Sequence, residues 1–390
     1  MYFVAGFFVS LAILGGISLY ANIQEGTVTE KNSNEQTRSQ ELAEESFNAF
    51  YKERDYDKSV SLEAERVRLA EEQGNIEEIA AARSRLATRS SRNNPQDFFV
   101  IALENYNNEA YPLFYRHEDL FHLAEYVSSH YGTSHLTQEN LDTFYSDPGI
   151  VSLNGGLAEN EYADENNIYR SLVPIYDTVM ENISIEHPHA VHVAALGTKA
   201  RAQAKILYNE GSTVSAEDLK LTLNLARNIL PPVVYEGIQQ RGYDDHIMAP
   251  VNNVMSAIGT LSSSGDLSLC SAVDELYDAG EQMGKVGAAA NNFSAQIGLS
   301  AIAHNKVMST AICSGYDMTE QQKAEARQTM GYLYAIQDED LERRAGYARM
   351  VKNKDHAYNR ASIYVANEVD PNFKKFLLDN YSFLTEADFN

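Results

Sequence analysis

The chain has 390 residues, of which 44% are apolar and 22% charged, and its formal net charge is −24. A charge this negative argues against binding to nucleic acid, which rewards lysine and arginine for neutralising phosphates, and against adhesion to anionic lipid. The length is enough for one elongated domain or two compact ones.

The first stretch, residues 2–21, contains no charged side chain and consists mostly of Phe, Val, Leu, Ile, Ala and Gly. About 20 residues of helix rise roughly 30 Å, which is the thickness of a bilayer's hydrocarbon core. We therefore interpret residues 1–21 as a transmembrane signal anchor. The alternative is a signal peptide that is cleaved after Ala21.

The flank that follows contains Glu25, Glu30 and Lys31 as its first charges, and it is not basic. The positive-inside rule therefore does not hold it on the cytoplasmic side. We place the rest of the chain in the periplasm of a bacterium, anchored in the inner membrane, or secreted if the signal is cleaved. Residues 22–40 are polar without apolar periodicity, which predicts a flexible tether.

From Gln40 onward, apolar residues recur at helical spacing, and no alternating run of β-branched residues indicates a sheet. We predict an all-α chain, with a helical array that is either a solenoid or an irregular bundle and that continues as an all-α domain over 95–390. The predicted helices cover residues 40–54, 57–73, 76–90, 96–106, 111–131, 138–145, 159–182, 189–209, 216–230, 233–240, 248–261, 267–283, 291–313, 320–351 and 356–378.

Several signals mark where these helices begin and end. Pro231-Pro232 and Asp147-Pro148-Gly149 predict breaks. Ser215 and Thr319 are each followed, three residues on, by the acid or amide that a capping box uses, so both predict helix starts.

Two short turns lie between the first three predicted helices. The sequence from Tyr51 to Ser59, YKERDYDKS, and the stretch 70–79, AEEQGNIEEI, resemble the helix–turn–helix junction of tetratricopeptide repeats. Arg54 replaces that family's turn glycine, and the turns lie about 20 residues apart rather than about 34. The resemblance covers residues 41–93 and implies stacked helical hairpins with a protein-binding role.

Histidines and acids cluster in two segments. Asp119, His122 and Glu125 share one helical face, and so do His189 and His192. Imidazoles and carboxylates on facing helices can bind zinc or iron. A metal-binding bundle protein or metal-dependent enzyme is therefore the alternative hypothesis, and it requires the two segments to converge.

No nucleophile elbow and no phosphate loop occur in the sequence, so we predict no catalytic residue. Gly280 and Gly284 are interpreted as helix-packing positions instead. The leading hypothesis is a non-enzymatic scaffold without a cofactor that binds a protein partner in the cell envelope. The candidate binding residues are aromatic, because tyrosine is enriched in interfaces; they are Tyr51, Tyr56, Tyr111 and Tyr115. The last two form a stripe that is either core or an exposed peptide groove.

The two cysteines are too far apart in sequence for a CxxC motif. Cys270 lies near the start of one predicted helix and Cys313 at the end of the next, and these ends meet in an antiparallel pair. A disulfide and two buried thiols both remain open.

An acidic stretch runs from Ser134 to Glu186, with ten acidic residues and one basic residue, Arg170. It is interpreted as a solvated acidic face. A calcium site is the alternative, although the sequence lacks an EF-hand loop.

Overall fold

The computed structural model describes residues 33–53, 55–181, 190–208, 215–241, 245–289, 293–315, 317–322, 324–325 and 375. Within these ranges the chain is helical and contains no β-strand, which confirms the all-α prediction. In this described part, no helix combines the length and the apolar character needed to cross a bilayer. The predicted anchor, 1–21, lies outside the described residues, as do nearly all of the predicted helices over 320–351 and 356–378.

The described residues fall into two compact units. The N-terminal unit comprises residues 33–181 together with 190–195, and the C-terminal unit begins at Leu196. Each unit is described separately below.

The N-terminal unit begins as a series of helices in which each of the first four packs on the next. Helix α5 also packs on α3 and α8, while α6 packs on α4. The elements are α1 (Ser33–Asn48), a π-helical turn (Ala49–Glu53), α2 (Tyr56–Gln73), α3 (Ile76–Ser90), α4 (Pro95–Asn107), α5 (Leu113–His130), α6 (Gln138–Ser146), α7 (Pro148–Asn154), a 3-10 turn (Glu159–Glu161) and α8 (Glu165–Met180). Helix α9 (Ala190–Tyr208) contributes its first residues to this unit and the others to the C-terminal unit.

Helix α1 begins at Ser33, inside the range for which the sequence predicts a flexible tether. The first turns of this helix are held by polar contacts rather than by apolar packing. Arg38 forms ion pairs with Glu41, Glu45 and Glu65, and Ser39 is buried and donates a hydrogen bond to Glu78 at 2.7 Å. Polar contacts of this kind leave no apolar periodicity in the sequence. The sequence therefore predicts a tether over residues that the structure shows as helix.

The interior between α1, α2 and α3 is built from paired charges. Arg66 on α2 donates to Glu78 on α3 at 2.9 Å and to Ser39 on α1 at 3.1 Å. Burial lowers the pKa of Arg66, but Glu63 and Glu78 outweigh it and the pKa is raised. The same pairing keeps the pKa of Glu78 below its ordinary value, although burial opposes this. An unpaired buried charge would cost several kcal/mol, so these partners fix how the helices stack.

Arg89 on α3 is the largest fully buried side chain of this unit, at 1% exposure. Its guanidinium lies over the ring of Phe50, 4.7 Å from the ring centroid. An aromatic face attracts a cation electrostatically, which offsets part of the cost of burying it. The contact joins α3 to the π-helical turn.

The C-terminal unit is a cluster of long helices: α10 (Ala216–Arg241), α11 (Asp245–Ser263), α12 (Ala272–Ala289) and α13 (Phe293–Cys313). They pack on one another, with α13 against both α11 and α12. A Cβ at Gly284 would lie 2.5 Å from Leu299, and one at Gly280 would lie 3.2 Å from Ile302. These glycines therefore let α12 approach α13 closely, as the sequence predicts.

The predicted break at Pro231-Pro232 is wrong, because α10 continues through both prolines. Leu230, Val233 and Val234 are buried on either side of the pair. Burial of these apolar residues along one continuous helix outweighs the backbone hydrogen bonds that the prolines remove.

Both predicted capping boxes are confirmed. Asp218 N–H donates to Ser215 Oγ at 3.1 Å, and Ser215 N–H donates back to the Asp218 carboxylate at 3.2 Å. Gln322 and Thr319 form the same reciprocal pair at 3.2 and 2.9 Å. Four terminal N–H groups of a helix lack intrahelical partners, and these side chains satisfy part of that demand.

Candidate binding groove

An open groove of about 570 Å³ lies on the N-terminal unit, beside α6 and the turn that follows α7. Three of its lining residues are acidic, and none is lysine or arginine. The lining residues are Glu139, Asp142, Thr143, Tyr145, Ser146, Leu157, Glu159 and Tyr162.

One wall of the groove is α6, whose start is fixed by a capping box between Thr137 and Asn140. Asn140 N–H donates to Thr137 Oγ1 at 3.2 Å, and Thr137 N–H donates to Asn140 Oδ1 at 3.1 Å. Because residues three apart share a helical face, Glu139 and Asp142 project together on the exposed side, while Phe144 is buried on the other.

Beneath the groove lies a pair of stacked tyrosines, Tyr145 and Tyr162, which line it although they are only 3% and 7% exposed. The rings of Tyr145 and Tyr162 lie 5.3 Å apart between centroids, at an interplanar angle of 27°. Tyr145 OH shares a 2.7 Å hydrogen bond with Ser171 Oγ on α8, and Tyr131 OH donates to the backbone carbonyl of Tyr162 at 2.7 Å. The two rings are thus held in place from α5 and α8.

Burial, and for Tyr162 nearby carboxylates as well, raises the pKa values of the phenols beneath the groove. Burial raises the pKa of Tyr145. Burial raises the pKa of Tyr162 as well, and the nearby carboxylates of Asp142 and Glu159 add to the effect. Both phenols therefore stay neutral at physiological pH, and the groove has negative charge at its rim above a largely buried aromatic pair.

The tyrosines predicted to bind a partner lie elsewhere. Tyr111 and Tyr115 are only 9% and 8% exposed and pack with Ala80 and Ala81 in a core cluster, so the exposed-groove interpretation of this stripe is wrong. The stripe is core because α5 lies against α3. Tyr56 is half-buried and its ring packs edge-on against Phe50, with centroids 5.1 Å apart. The side chain of Tyr51 lies outside the described residues.

The predicted metal ligands are also mostly interior. Asp119, His122 and Glu125 are buried in α5, while His189 lies outside the described residues. In the described part of the chain, no three His, Cys, Asp or Glu side chains are placed to hold a metal ion together. Burial raises the pKa of Asp119 well above its ordinary value.

The two histidine-containing segments nevertheless come close to each other at a different residue. Burial, together with the neighbouring charges of His192 and Arg116, lowers the pKa of His117 to about 4. The convergence thus involves His117 and His192. The zinc or iron alternative stays a prediction.

The cysteines form a disulfide in the C-terminal unit, between Cys270 and Cys313, with Cα atoms 5.8 Å apart. Of the two possibilities that the sequence left open, the structure has the bonded one.

Comparisons with known protein families, with curated proteins and with solved structures found no match. The groove therefore has to be interpreted from its own chemistry. Its residues were not selected from the sequence, where the available signal was the excess of acids between Ser134 and Glu186. That count does not reveal that Glu139 and Glu159 face one groove, because a turn after α7 brings them together.

Proposed function

We propose that this protein is a membrane-anchored, extracytoplasmic helical scaffold that binds a basic segment of a protein partner in the acidic groove. The observation that carries the proposal is the pairing of three acidic side chains with two stacked tyrosines. Glu139, Asp142 and Glu159 supply the charge, and Tyr145 and Tyr162 lie beneath them as a largely buried pair.

The chemistry of such a groove favours lysine and arginine side chains. Carboxylates attract their charged ends and steer the encounter between the partners. Arginine in addition can form two parallel hydrogen bonds to one carboxylate through its planar guanidinium. A volume of about 570 Å³ holds a few side chains, so the proposed ligand is a short basic segment rather than a whole folded surface.

The location in the envelope is part of the same proposal. Residues 1–21 would anchor the chain, and the disulfide between Cys270 and Cys313 supports an oxidising compartment, because cytosolic reductants keep thiols reduced. The hairpins α1 to α5, each packed on the next, support a scaffold of tetratricopeptide-like character. That likeness is an analogy of architecture.

The test is a binding titration on the full-length chain in detergent. The probe is a fluorescent ten-residue peptide of lysine and arginine with one tyrosine, and an acidic peptide of the same length is the reference. We expect the basic peptide to bind and the acidic one not to. The variant Glu139→Gln/Asp142→Asn/Glu159→Gln should weaken binding at least about tenfold, or about 1.4 kcal/mol.

The matched control is Glu44→Gln/Glu71→Gln/Glu109→Gln, which removes the same charge from three exposed residues that do not line the groove. It should change the affinity less than about twofold, because salt screens exposed charges that do not contact the peptide. Equal weakening by both triple variants would mean that the peptide senses only net charge, and the groove proposal would be abandoned.

A further inference from the structure

The three carboxylates at the rim of the groove differ in what already contacts them. Asp142 accepts a hydrogen bond on Oδ1 from the Gln138 amide of the same helix, at 3.0 Å. It also faces the phenol of Tyr162, whose pKa is raised by burial and by this carboxylate. Glu139 and Glu159 are exposed, and within the described part of the chain no group donates a hydrogen bond to their carboxylates. Two of the three acids therefore keep both oxygens open to a ligand.

The backbone that carries Glu139 is fixed against α4. Gln96 on α4 donates to Thr143 Oγ1 at 3.1 Å and accepts from Asn140 Nδ2 at 2.7 Å. Thr143 Oγ1 in turn donates to the Glu139 carbonyl at 2.7 Å. A ligand therefore has to order the Glu139 side chain but not the helix beneath it, which lowers the entropy cost of binding.

The backbone that carries Glu159 is fixed as well. Tyr162 N–H donates to the Glu159 carbonyl at 3.3 Å, and Tyr131 on α5 donates to the Tyr162 carbonyl at 2.7 Å. The other acid of this 3-10 turn serves the turn itself, because Ala158 N–H donates to the Glu161 carboxylate at 2.8 Å. The turn thus presents Glu159, and not Glu161, to the groove.

A carboxylate with two open oxygens distinguishes arginine from lysine. The planar guanidinium donates two parallel hydrogen bonds to the two oxygens of one carboxylate, whereas the lysine ammonium is a compact and strongly hydrated point charge. Glu139 and Glu159 meet this requirement. In Asp142 the Gln138 amide already occupies one oxygen, so this acid contributes negative charge rather than a two-bond contact.

We propose that the groove selects arginine over lysine in its partner segment, through Glu139 and Glu159 as the specificity-determining residues. Asp142 attracts the two kinds of basic side chain equally. This inference rests on the proposed function and names the side chain that the groove recognises. The matching ligand is a segment with two arginines, one for each of these two glutamates.

The test compares two ten-residue peptides with one tyrosine each, in which every other residue is arginine in one and lysine in the other. Their charges are equal, so the general attraction to an acidic chain cancels in the ratio of their affinities. On the full-length chain in detergent, the arginine peptide should bind at least about fivefold more tightly. Glu139→Gln/Glu159→Gln should reduce this ratio to less than about twofold, because a glutamine amide has only one acceptor oxygen.

Two control variants separate recognition from charge. Asp142→Asn should weaken the binding of both peptides by the same factor and leave the ratio unchanged. Glu44→Gln/Glu71→Gln removes two exposed charges outside the groove and should leave the ratio unchanged too.

The outcomes distinguish this inference from the proposed function. A ratio near one in the wild type, or a ratio that persists in Glu139→Gln/Glu159→Gln, would overturn the selection of arginine and leave the acidic groove as a general basic-peptide site. A collapse of the ratio in Asp142→Asn would overturn the roles given to the three acids. If neither peptide binds to the wild type, the proposed function itself fails.

Discussion

A single carboxylate, that of Glu78, joins the first three helices of the N-terminal unit. It accepts hydrogen bonds from Ser39 on α1 and from Arg66 on α2, and its own helix is α3. Neither partner could be assigned from the sequence, because 39 and 12 residues separate them from Glu78. The pairing needs the helices to stack first.

We expect Glu78→Ala to lower the free energy of unfolding by about 2–3 kcal/mol at pH 7, since it leaves the Arg66 guanidinium buried without this partner. The measurement is urea unfolding. The control is Glu72→Ala, which removes an exposed ion pair with Arg68 and should cost less than about 1 kcal/mol.

The pH dependence of this effect has a definite sign. The pKa of Glu78 is lower in the folded chain than in the unfolded one. Its contribution is therefore present above the unfolded pKa, about 4.3, and is lost as the pH falls through the folded pKa. The difference between wild type and Glu78→Ala should shrink below about pH 4. A difference that stays constant down to pH 3 would mean that the ion pair contributes nothing.

A second residue-scale prediction concerns Gly284. A Cβ there would lie 2.5 and 2.6 Å from two side-chain carbons of Leu299, so Gly284→Ala should cost about 1–3 kcal/mol through overpacking. The test is a double-mutant cycle with Leu299→Ala, in which the added methyl finds space. The two changes should cost less together than the sum of their separate effects. Additive effects would contradict the close approach.

At the scale of elements, most helices follow from local signals. The sequence predicts α6 over 138–145 from the recurrence of apolar residues at helical spacing, and the structure has Gln138–Ser146 with Thr137 as its cap. The wrong prediction of a break at Pro231-Pro232 arises because burial of the neighbouring apolar residues outweighs the local preference of proline to end a helix. The groove could not be predicted in this way. Glu139 lies on α6 and Glu159 on the 3-10 turn, and the two share a surface only because these elements lie together.

The cap of α6 gives a prediction at this scale. Thr137→Ala removes the oxygen that accepts the Asn140 N–H, and should destabilise α6 by about 1 kcal/mol. Exchange of amides in residues 138–146 should quicken accordingly, while Thr137→Ser, which keeps the hydroxyl, should restore protection. Equal exchange in the Ala and Ser variants would show that the cap does not hold this wall of the groove.

At the scale of the whole molecule, the charge of −24 narrows the kinds of partner. A net charge of this sign disfavours self-association and binding to anionic lipid or nucleic acid. The same negative field attracts a partner with a basic segment, most strongly at the groove lined by Glu139, Asp142 and Glu159. The proposed role therefore agrees with both the composition and the groove.

The most direct measurement places a photoreactive benzoylphenylalanine at Leu157, which lines the groove, and compares it with the same residue at Val100, which is exposed on α4 and outside the groove. Each full-length variant is irradiated with the basic peptide and then digested and sequenced by mass spectrometry. The account predicts cross-links from position 157 that an excess of unlabelled peptide abolishes, and few from position 100. Equal cross-linking at the two positions, or none at 157 while the peptide is bound, would contradict it.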